Sequence, residues 1–236
     1  MGFIEDKRFI QYGARCLFFD RHEGVSDNPF DSLNVSFNVG DNPSNVKNNI
    51  EIVRQLANAD KIFTINQVHS DLIIKYGDNI KDADGVYTKE KGVFLGIRFA
   101  DCVPIVFMDI KQKIIMVVHA GWKGTHLGIA EKACEILFDE GCNPDNILVS
   151  IGPHICKNCY EVKEDVASKF GSCSIKKKDG KIFLDLEKAN IVQLEGMGIK
   201  KENIESMGIC TYENRDFFSY RRDKKCGRNI GGILLV

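Results

Sequence analysis

Short apolar runs recur along this chain, and few helical patterns lie between them. The longest runs cover residues 103–108 and 114–118, close together in the sequence. Runs of this length predict strands, and they are much shorter than the ~20 residues of a membrane span. Because regular helices do not follow each strand, a repeating βαβ barrel is excluded. The pattern predicts an α+β fold with a mixed β-sheet core and flanking helices.

The other predicted elements rest on alternation, capping residues and apolar stripes. Residues 33–39 alternate strictly between apolar and polar side chains, which predicts a strand with one buried face. Asn42 and Pro43 predict the start of a helix with an apolar stripe over 46–57. The remaining predicted strands are 62–66, 72–75, 92–98, 147–151, 181–186, 204–209 and 230–236. Three more helices are predicted: one begins at Thr125, and the other two cover 162–170 and 187–196.

Length and composition limit the class of protein. The 236 residues have room for one large or two small domains, and we predict a single domain over 1–236. An apolar share of 44% excludes a disordered chain, and a net charge of −1 gives no general attraction to nucleic acid. The first residues lack the basic and apolar regions of a signal peptide. We therefore expect a cytoplasmic protein with neither membrane nor nucleic acid as a partner.

Three residues near predicted strand ends are the first candidates for chemistry. His69 lies between two predicted strands, Cys102 interrupts two others, and His119 follows the run 114–118. Strand ends are where rigid scaffolds usually carry catalytic groups. Two imidazoles and one thiolate would leave a fourth position open, as in catalytic zinc sites. The spacing is not a metal signature, so two histidines at the edge of the core and a buried thiol remain the other interpretation.

Two turns carry positive charge and are candidates for binding an anion. Gly121 and Gly124 allow close backbone approach, and Lys123 adds charge beside a predicted helix start, which suits phosphate. A turn built only for tight packing explains the glycines equally well. Arg222 lies beside aromatic residues and could hold a phosphate or carboxylate. A solvated charged turn is the commoner explanation for such an arginine.

A C-x-x-C pair, Cys156 and Cys159, is the remaining cysteine motif. A zinc knuckle needs a second such pair, and a thioredoxin-like motif needs a surrounding βαβ unit. The sequence offers neither, so we expect neither a redox nor a structural-metal function from this pair.

Several segments together resemble one known family. The most specific are Asn66-Gln67-Val68-His69, Ala100-Asp101-Cys102-Val103-Pro104 and His119-Ala120-Gly121-Trp122-Lys123-Gly124. Weaker matches include Ser32-Leu33-Asn34-Val35, Ala83-Asp84-Gly85-Val86-Tyr87-Thr88, Tyr160-Glu161-Val162, Cys210-Thr211-Tyr212, Phe218-Ser219-Tyr220-Arg221-Arg222 and Gly227-Arg228. They follow one another over nearly the whole chain. The chain thereby resembles the YfiH-like family, long labelled multicopper polyphenol oxidase or laccase-domain proteins.

This resemblance implies a single-domain α/β structure with one metal site and a purine-processing activity. The implied ligands, which also serve catalysis, are His69, Cys102 and His119, with zinc as the cofactor and copper able to bind in vitro. The implied activities are phosphorolysis of adenosine, inosine, guanosine and methylthioadenosine, and deamination of adenosine. The partners are then purine nucleosides and phosphate. We assign substrate binding to Gln67, Asp101, Lys123 and Arg222.

The chain departs from the family pattern at four positions. Asn38 stands where members often have histidine, Ile50 and Lys123 where they have arginine, and Phe99 where they have threonine. Because the three implied ligands are present, we expect the metal set to be intact. The departures leave the pocket and the substrate preference open.

The family label of a multicopper oxidase meets a physical objection. A blue copper site plus a trinuclear cluster needs far more imidazoles than the five histidines of this chain.

For phosphorolysis, we expect the metal, Lys123 and Arg222 to hold phosphate. For deamination, Asp101 is the candidate proton shuttle, although the H-x-E signature of zinc deaminases is missing.

Two other classes of function stay open on the sequence alone. A cysteine amidase acting on peptidoglycan precursors would use Cys102 as nucleophile and His119 or His69 as its base. A non-catalytic binding protein would need the same residues only for ligand affinity.

Overall fold

The computed structural model describes residues 2–236, and two β-sheets stacked face to face form its centre. The strands in chain order are β1 (Phe3–Asp6), β2 (Ala14–Phe19), β3 (Lys61–Thr64), β4 (Ile73–Lys75), β5 (Gly85–Thr88), β6 (Val93–Phe99), β7 (Val103–Asp109), β8 (Ile114–Ala120), β9 (Ile147–Ile151), β10 (Glu161–Val162), β11 (Ile175–Lys178), β12 (Lys181–Leu184), β13 (Ile204–Ser206) and β14 (Asn229–Leu235). The α-helices are α1 (Pro43–Ala57), α2 (Trp122–His126), α3 (Ile129–Asp139), α4 (Glu164–Ala167), α5 (Leu186–Gly196) and α6 (Tyr220–Asp223).

Both central sheets mix parallel and antiparallel pairs. One has the order β1-β2-β14-β6-β3, in which only β3 runs parallel to its neighbour. The other has the order β13-β9-β7-β8-β5-β4, with parallel pairs at both edges. A third, smaller sheet has the order β10-β12-β11. The predicted α+β class with a mixed sheet core is confirmed.

The central strands are apolar along their length because both of their faces are covered. Between the two sheets, Leu95 and Ile97 of β6 pack in one cluster with Ile115 and Val117 of β8. On the outer face of the six-stranded sheet lie α3 and α5. On the outer face of the five-stranded sheet lies α1. The resulting four layers, helix, sheet, sheet and helix, bury every residue of β7, β8 and β14.

The predicted strand over 33–39 is wrong. This segment is a loop that ends in a 3-10 helix at Phe37–Val39. Its backbone forms no ladder with a neighbouring strand, and side chains supply part of its hydrogen bonds: Asn34 Oδ1 accepts from the backbone N–H of Ser36, and Asn49 Nδ2 donates to the Asn34 carbonyl. The alternation does not mark one buried and one exposed face, because Asn34 and Ser36 are buried together with Leu33 and Val35, whereas Phe37 is exposed.

The predicted helix start at Thr125 is also wrong. Thr125 lies inside the short helix α2, which begins at Trp122, and α3 begins only at Ile129. Gly128, with a φ of 80°, separates the two helices because that left-handed conformation ends a helix without strain for glycine.

Of the other predicted helices, two are confirmed. Helix α1 begins at Pro43 with Asn42 as its cap, and α5 matches the prediction for 187–196. The predicted helix over 162–170 is longer than the observed helix α4. Residue 162, where the predicted helix begins, belongs to β10. Strands β1, β2, β5, β10 and β11 were not predicted. In β2, Arg15 interrupts the apolar pattern, and its Nε donates to Glu5 Oε1 of β1 at 2.8 Å.

No helix within residues 2–236 has the length and apolar character needed to cross a bilayer.

Candidate active site

The β7–β8 hairpin brings Cys102 and His119 together at its open end. Cys102 immediately precedes β7, and His119 is the second-last residue of β8, where it pairs with Pro104. His69 reaches the same point from the loop between β3 and β4, where its backbone has a φ of 61°. One nitrogen of each imidazole and the Cys102 sulfur all lie within 4.8 Å of one another. Three residues that are far apart in sequence thus form one cluster.

A buried carboxylate orients His119. Its Nδ1 lies 2.9 Å from Oδ1 of Asp84, and the side chains of His119 and Asp84 are only 4% and 0% exposed. Because Asp84 occupies Nδ1, Nε2 is the nitrogen left to face Cys102. Histidine ligands of metals typically have their second ring nitrogen bonded in this way.

The same carboxylate holds the loop that carries His69. Asp84 Oδ1 accepts from the backbone N–H of His69 at 3.1 Å. Its Oδ2 accepts from the backbone N–H groups of Val68 and Ser70 and from the Ser70 hydroxyl. One side chain therefore positions both imidazoles.

The cluster favours an ion pair between the thiol and an imidazole. Burial would raise the pKa of Cys102, but the positive charge of His119 and hydrogen bonds from both imidazoles lower it to about 6. Burial would lower the pKa of His119, but the Cys102 thiolate and the Asp84 carboxylate raise it to about 9. A thiolate beside an imidazolium is expected between these pH values, ready to bind a cation or attack an electrophile.

Gly121 leaves little space for a side chain beside the cluster. A Cβ at Gly121 would lie 3.1 Å from Cys102 Sγ and 3.1 Å from Cδ2 of His69. The other glycine of the turn, Gly124, faces a backbone carbonyl, with its Cβ position 2.9 Å from the oxygen of Ser70. These two glycines serve close packing around the cluster.

Hydrogen bonds to the Asp101 side chain fix the turn that carries Cys102. Its Oδ1 accepts from the hydroxyls of Thr211 and Ser219 at 2.8 and 2.7 Å. Its Oδ2 accepts from the backbone N–H of Arg221 at 2.6 Å. These bonds hold Asp101 at a φ of 103°, a conformation that residues other than glycine rarely adopt. The side chain of Asp101 therefore fixes the turn that presents Cys102.

The cluster forms one wall of a cavity of about 430 Å³, which is large enough for a small ligand. Arg98 and Arg228 also line this cavity. Burial first, and then the positive charge of Arg228, lower the pKa of Arg98. Two neighbouring guanidiniums that repel each other would be stabilised by an anion between them. The aromatic ring of Tyr220 also lines this cavity.

The residues that the sequence assigned to substrate binding occupy different places. Gln67 lines the cavity, and its Nε2 donates to the Arg98 carbonyl at 2.7 Å. Lys123 is exposed and lies outside the cavity lining. Arg222 lies outside it as well, because its guanidinium donates to four backbone carbonyls of the loop 211–217 and pairs with Asp223.

Of the positions where the chain departs from the family pattern, Asn38 and Phe99 line the cavity. Ile50 packs instead against the core beneath α1. No individual role was predicted for Asp84, Arg98 or Arg228. Arg98 left a signal, because it is a charge within the otherwise apolar strand β6. The contact between Asp84 and His119 forms only in the folded chain, so no local sequence pattern indicated it.

Comparisons with known proteins find a family model and several relatives that match most of the chain. The family model described as multi-copper polyphenol oxidoreductase laccase matches residues 15–236. Purine nucleoside phosphorylase YlmD of Bacillus subtilis is 34% identical over 241 residues, which cover 92% of this chain and 86% of that protein. Purine nucleoside phosphorylase YfiH of Escherichia coli is 34% identical over 235 residues, covering 95% of both chains.

Solved structures give the same answer for the fold. The crystal structure of Bacillus licheniformis hypothetical protein YfiH has a TM-score of 0.93 at 33% identity, covering 100% of this chain and 97% of that one. Neisseria meningitidis protein NMB0706 has a TM-score of 0.90 at 29% identity, covering 100% and 99%. The resemblance to the YfiH-like family is confirmed.

Proposed function

The chain belongs to the family described as multi-copper polyphenol oxidoreductase laccase, and from that premise we propose that it is a zinc-dependent purine nucleoside phosphorylase. One observation carries the proposal: the two histidines and the cysteine share a cavity with two guanidiniums. A metal-binding set beside an anion site suits a reaction in which phosphate attacks a sugar carbon. The relatives named purine nucleoside phosphorylase support the same substrates.

The three side chains fit a zinc ion by their chemistry. Two imidazoles and a thiolate are the protein ligands of known catalytic zinc sites, and they leave a fourth position for water or substrate. Asp84 supplies the outer hydrogen bond that such a histidine ligand needs, at His119 Nδ1. Zinc bound by His69, Cys102 and His119 would supply a Lewis acid to an oxygen in the cavity.

Arg98 and Arg228 hold the phosphate in this proposal. In phosphorolysis, a phosphate oxygen bonds to C1′ of the ribose and the bond from C1′ to the purine nitrogen breaks. Guanidinium groups match the oxygen geometry of phosphate through paired N–H donors, and they keep its charge close to the reacting carbon. Tyr220, exposed at the edge of the cavity, offers an aromatic face to the purine.

Deamination of adenosine at the same site is a finer part of the proposal. It needs a group that passes a proton from water to the leaving amine. Because three donors occupy both oxygens of Asp101, that carboxylate is not free to act as the shuttle. The cavity lining within residues 2–236 contains no other carboxylate, and His69 and His119 are both zinc ligands in this proposal, so the geometry supports phosphorolysis more directly than deamination.

Oxidation of polyphenols by a multicopper mechanism does not fit the chain. That chemistry needs several copper ions held mostly by imidazoles, and the sequence has five histidines. Only His69 and His119 among them belong to a group of metal-binding residues within the described part of the chain.

A cysteine amidase is the second candidate, and the ionisation of Cys102 favours it. A thiolate with a pKa of about 6 next to an imidazolium resembles the nucleophile and base of cysteine hydrolases. In this alternative, Cys102 attacks an amide carbonyl, and metal binding to the same residues would inhibit the reaction.

Product analysis separates these candidates. The protein and its Cys102→Ala variant are incubated with inosine or adenosine, with and without phosphate, after their metal content has been measured. We expect phosphate-dependent release of free base and ribose 1-phosphate, and its loss in the variant. Zinc-loaded protein that leaves both nucleosides intact would rule out the phosphorylase, and chelator-resistant activity on amide substrates would then favour the amidase.

A further inference from the structure

A second group of potential metal ligands lies in two loops outside the cavity. The first loop follows β9 and contains Cys156 and Cys159, the C-x-x-C pair. The second loop follows β13 and contains Cys210 and Glu213, which have the same spacing. A parallel bridge between His154 and Cys210 places the two loops side by side. No metal was expected here from the sequence, because a zinc knuckle has a second cysteine pair, whereas Cys210 and Glu213 form a C-x-x-E.

Each loop folds into a tight turn that points its ligands to one side. The backbone N–H of Cys159 donates to the carbonyl of Cys156 at 3.0 Å, and that of Asn214 donates to the carbonyl of Cys210 at 2.8 Å. Pairs of such turns supply two ligands each to structural zinc sites.

Two distances between the ligand atoms are close to those in a tetrahedral zinc site. The sulfur atoms of Cys156 and Cys159 are 3.6 Å apart, and Cys159 Sγ is 3.3 Å from Glu213 Oε1. All four ligand atoms, including Cys210 Sγ, lie within 4.8 Å of one another. Zinc–sulfur bonds of about 2.3 Å in a tetrahedron put neighbouring sulfurs about 3.8 Å apart. The cysteine pair is also well beyond the ~2.05 Å of a disulfide.

One backbone N–H already donates to a sulfur atom of this group. The backbone N–H of Cys156 donates to Cys210 Sγ at 3.3 Å, a contact that stabilises negative charge on sulfur. All three cysteines are partly shielded from solvent, while Glu213 is exposed and closes the group from the outside. Three thiolates and one carboxylate prefer zinc to the harder ions magnesium and calcium.

We propose that Cys156, Cys159, Cys210 and Glu213 bind a structural zinc ion. All four positions are filled by the chain, so this ion has no open site for substrate. It is separate from the metal in the cavity, and the proposal does not depend on the nucleoside chemistry.

The ion would stabilise the turn that presents Cys102. Thr211 lies between two of the ligands, and its hydroxyl donates to Asp101 Oδ1 at 2.8 Å. Ile155 precedes a third ligand, and its backbone N–H donates to the carbonyl of Asp101 at 3.0 Å. Both loops that the zinc would join therefore hold the residue next to Cys102.

Metal analysis of the full chain, prepared under reducing conditions with zinc, tests this proposal. We expect one zinc fewer per chain in the Cys156→Ser/Cys159→Ser variant than in the unmodified protein. Cys173→Ser, which changes an exposed cysteine elsewhere, should lose none. Equal zinc content in all three proteins would overturn the proposal, as would a Cys156–Cys159 disulfide in the zinc-treated protein. Failure of the cavity site would instead show as unchanged zinc content in Cys102→Ala.

Cobalt replaces zinc as a spectroscopic probe that does not require the double variant to fold. In Cys102→Ala, the cavity site has lost its thiolate, so any thiolate-to-cobalt charge-transfer band must come from the second group. We expect a strong band with tetrahedral ligand-field absorption in this variant. A cobalt spectrum without a thiolate band would overturn the proposal.

Discussion

His119 and Asp84 contact each other twice, through backbone and through side chain. The backbone N–H of His119 donates to the Asp84 carbonyl at 2.7 Å, and His119 Nδ1 lies 2.9 Å from Asp84 Oδ1. The first bond belongs to the pairing of β8 with the chain entering β5, so the sheet itself sets the distance for the second. The orientation of the imidazole is therefore fixed by the fold before any metal or substrate binds.

Replacing Asp84 by asparagine is expected to weaken metal binding in the cavity. An amide keeps the shape of the side chain but removes the negative charge beside His119 Nδ1. Loss of such an outer partner typically lowers metal affinity about 10- to 100-fold. Competition with a chromophoric chelator measures the change. Asp82→Asn, an exposed neighbour, is the matched control, and equal affinities in the two variants would contradict this role of Asp84.

A methyl group at position 121 should displace the ligands. Gly121→Ala places a Cβ 3.1 Å from Cys102 Sγ and 3.1 Å from the His69 ring, so one of them must move. We expect zinc affinity at this site to fall roughly tenfold or more, on the scale of a disturbed metal environment. The control is Gly196→Ala, where a Cβ meets open space. Calorimetric titration with zinc measures the affinity of both variants. An unchanged affinity in Gly121→Ala would contradict this prediction, because it would show that the turn accommodates the methyl group without displacing a ligand.

The metal-free protein should alkylate at Cys102 at unusually low pH. The thiolate is the reactive form, so the rate of reaction with iodoacetamide should rise through a midpoint near pH 6, following the pKa of Cys102. In His119→Ala the largest favourable charge is gone, and the midpoint should move upward. Mass spectrometry of the Cys102 peptide follows the reaction, and an identical midpoint in both proteins would refute the ion pair.

The same ion pair should leave a pH window in the stability of the metal-free protein. The folded pKa of Cys102 is below its ordinary value, so its contribution is lost as pH falls through about 6. The folded pKa of His119 is above its ordinary value, so its contribution is lost as pH rises through about 9. The difference in Tm between the unmodified protein and Cys102→Ala should therefore be largest between these values. A difference that is constant from pH 5 to 10 would be inconsistent with the pair.

Arg98 should contribute more to phosphate binding than Lys123 does. Arg98→Lys keeps the charge but loses the paired donors, and hydrogen bonds to charged groups are worth about 1.5–3 kcal/mol. We expect KM for phosphate to rise about tenfold to hundredfold. Lys123→Ala should leave it unchanged, because that side chain is exposed outside the cavity. If KM for phosphate rose in Lys123→Ala and not in Arg98→Lys, the phosphate would instead bind at the turn after β8.

The fold was predictable where a local pattern coincides with burial. The runs 103–108 and 114–118 became β7 and β8 because strands covered on both faces are continuously apolar. The segment 33–39 misled because its alternation has another cause, a loop whose backbone is bonded by Asn34 and Asn49. In this segment the polar Asn34 and Ser36 are buried as well, so the alternation did not report burial, and a strand also needs a partner for its backbone.

The candidate site was predictable as a set of residues, but its electrostatics were not. Strand ends and the family resemblance pointed to His69, Cys102 and His119. Which positive charges line the cavity could be read only from the tertiary structure, because Arg98 of β6 lines the cavity and Lys123 of the turn after β8 does not. The same holds for Asp84, which meets His119 only because β5 pairs with β8.

Reconstitution with zinc tests the central claim most directly. Zinc is added in steps to metal-free protein, and phosphate-dependent release of hypoxanthine from inosine is measured after each addition. We expect no release without metal, a rate that rises with zinc until the cavity site is filled, and no restoration in Cys102→Ala. A full rate in the metal-free protein, or equal restoration in Cys102→Ala, would contradict phosphorolysis at a zinc site of His69, Cys102 and His119.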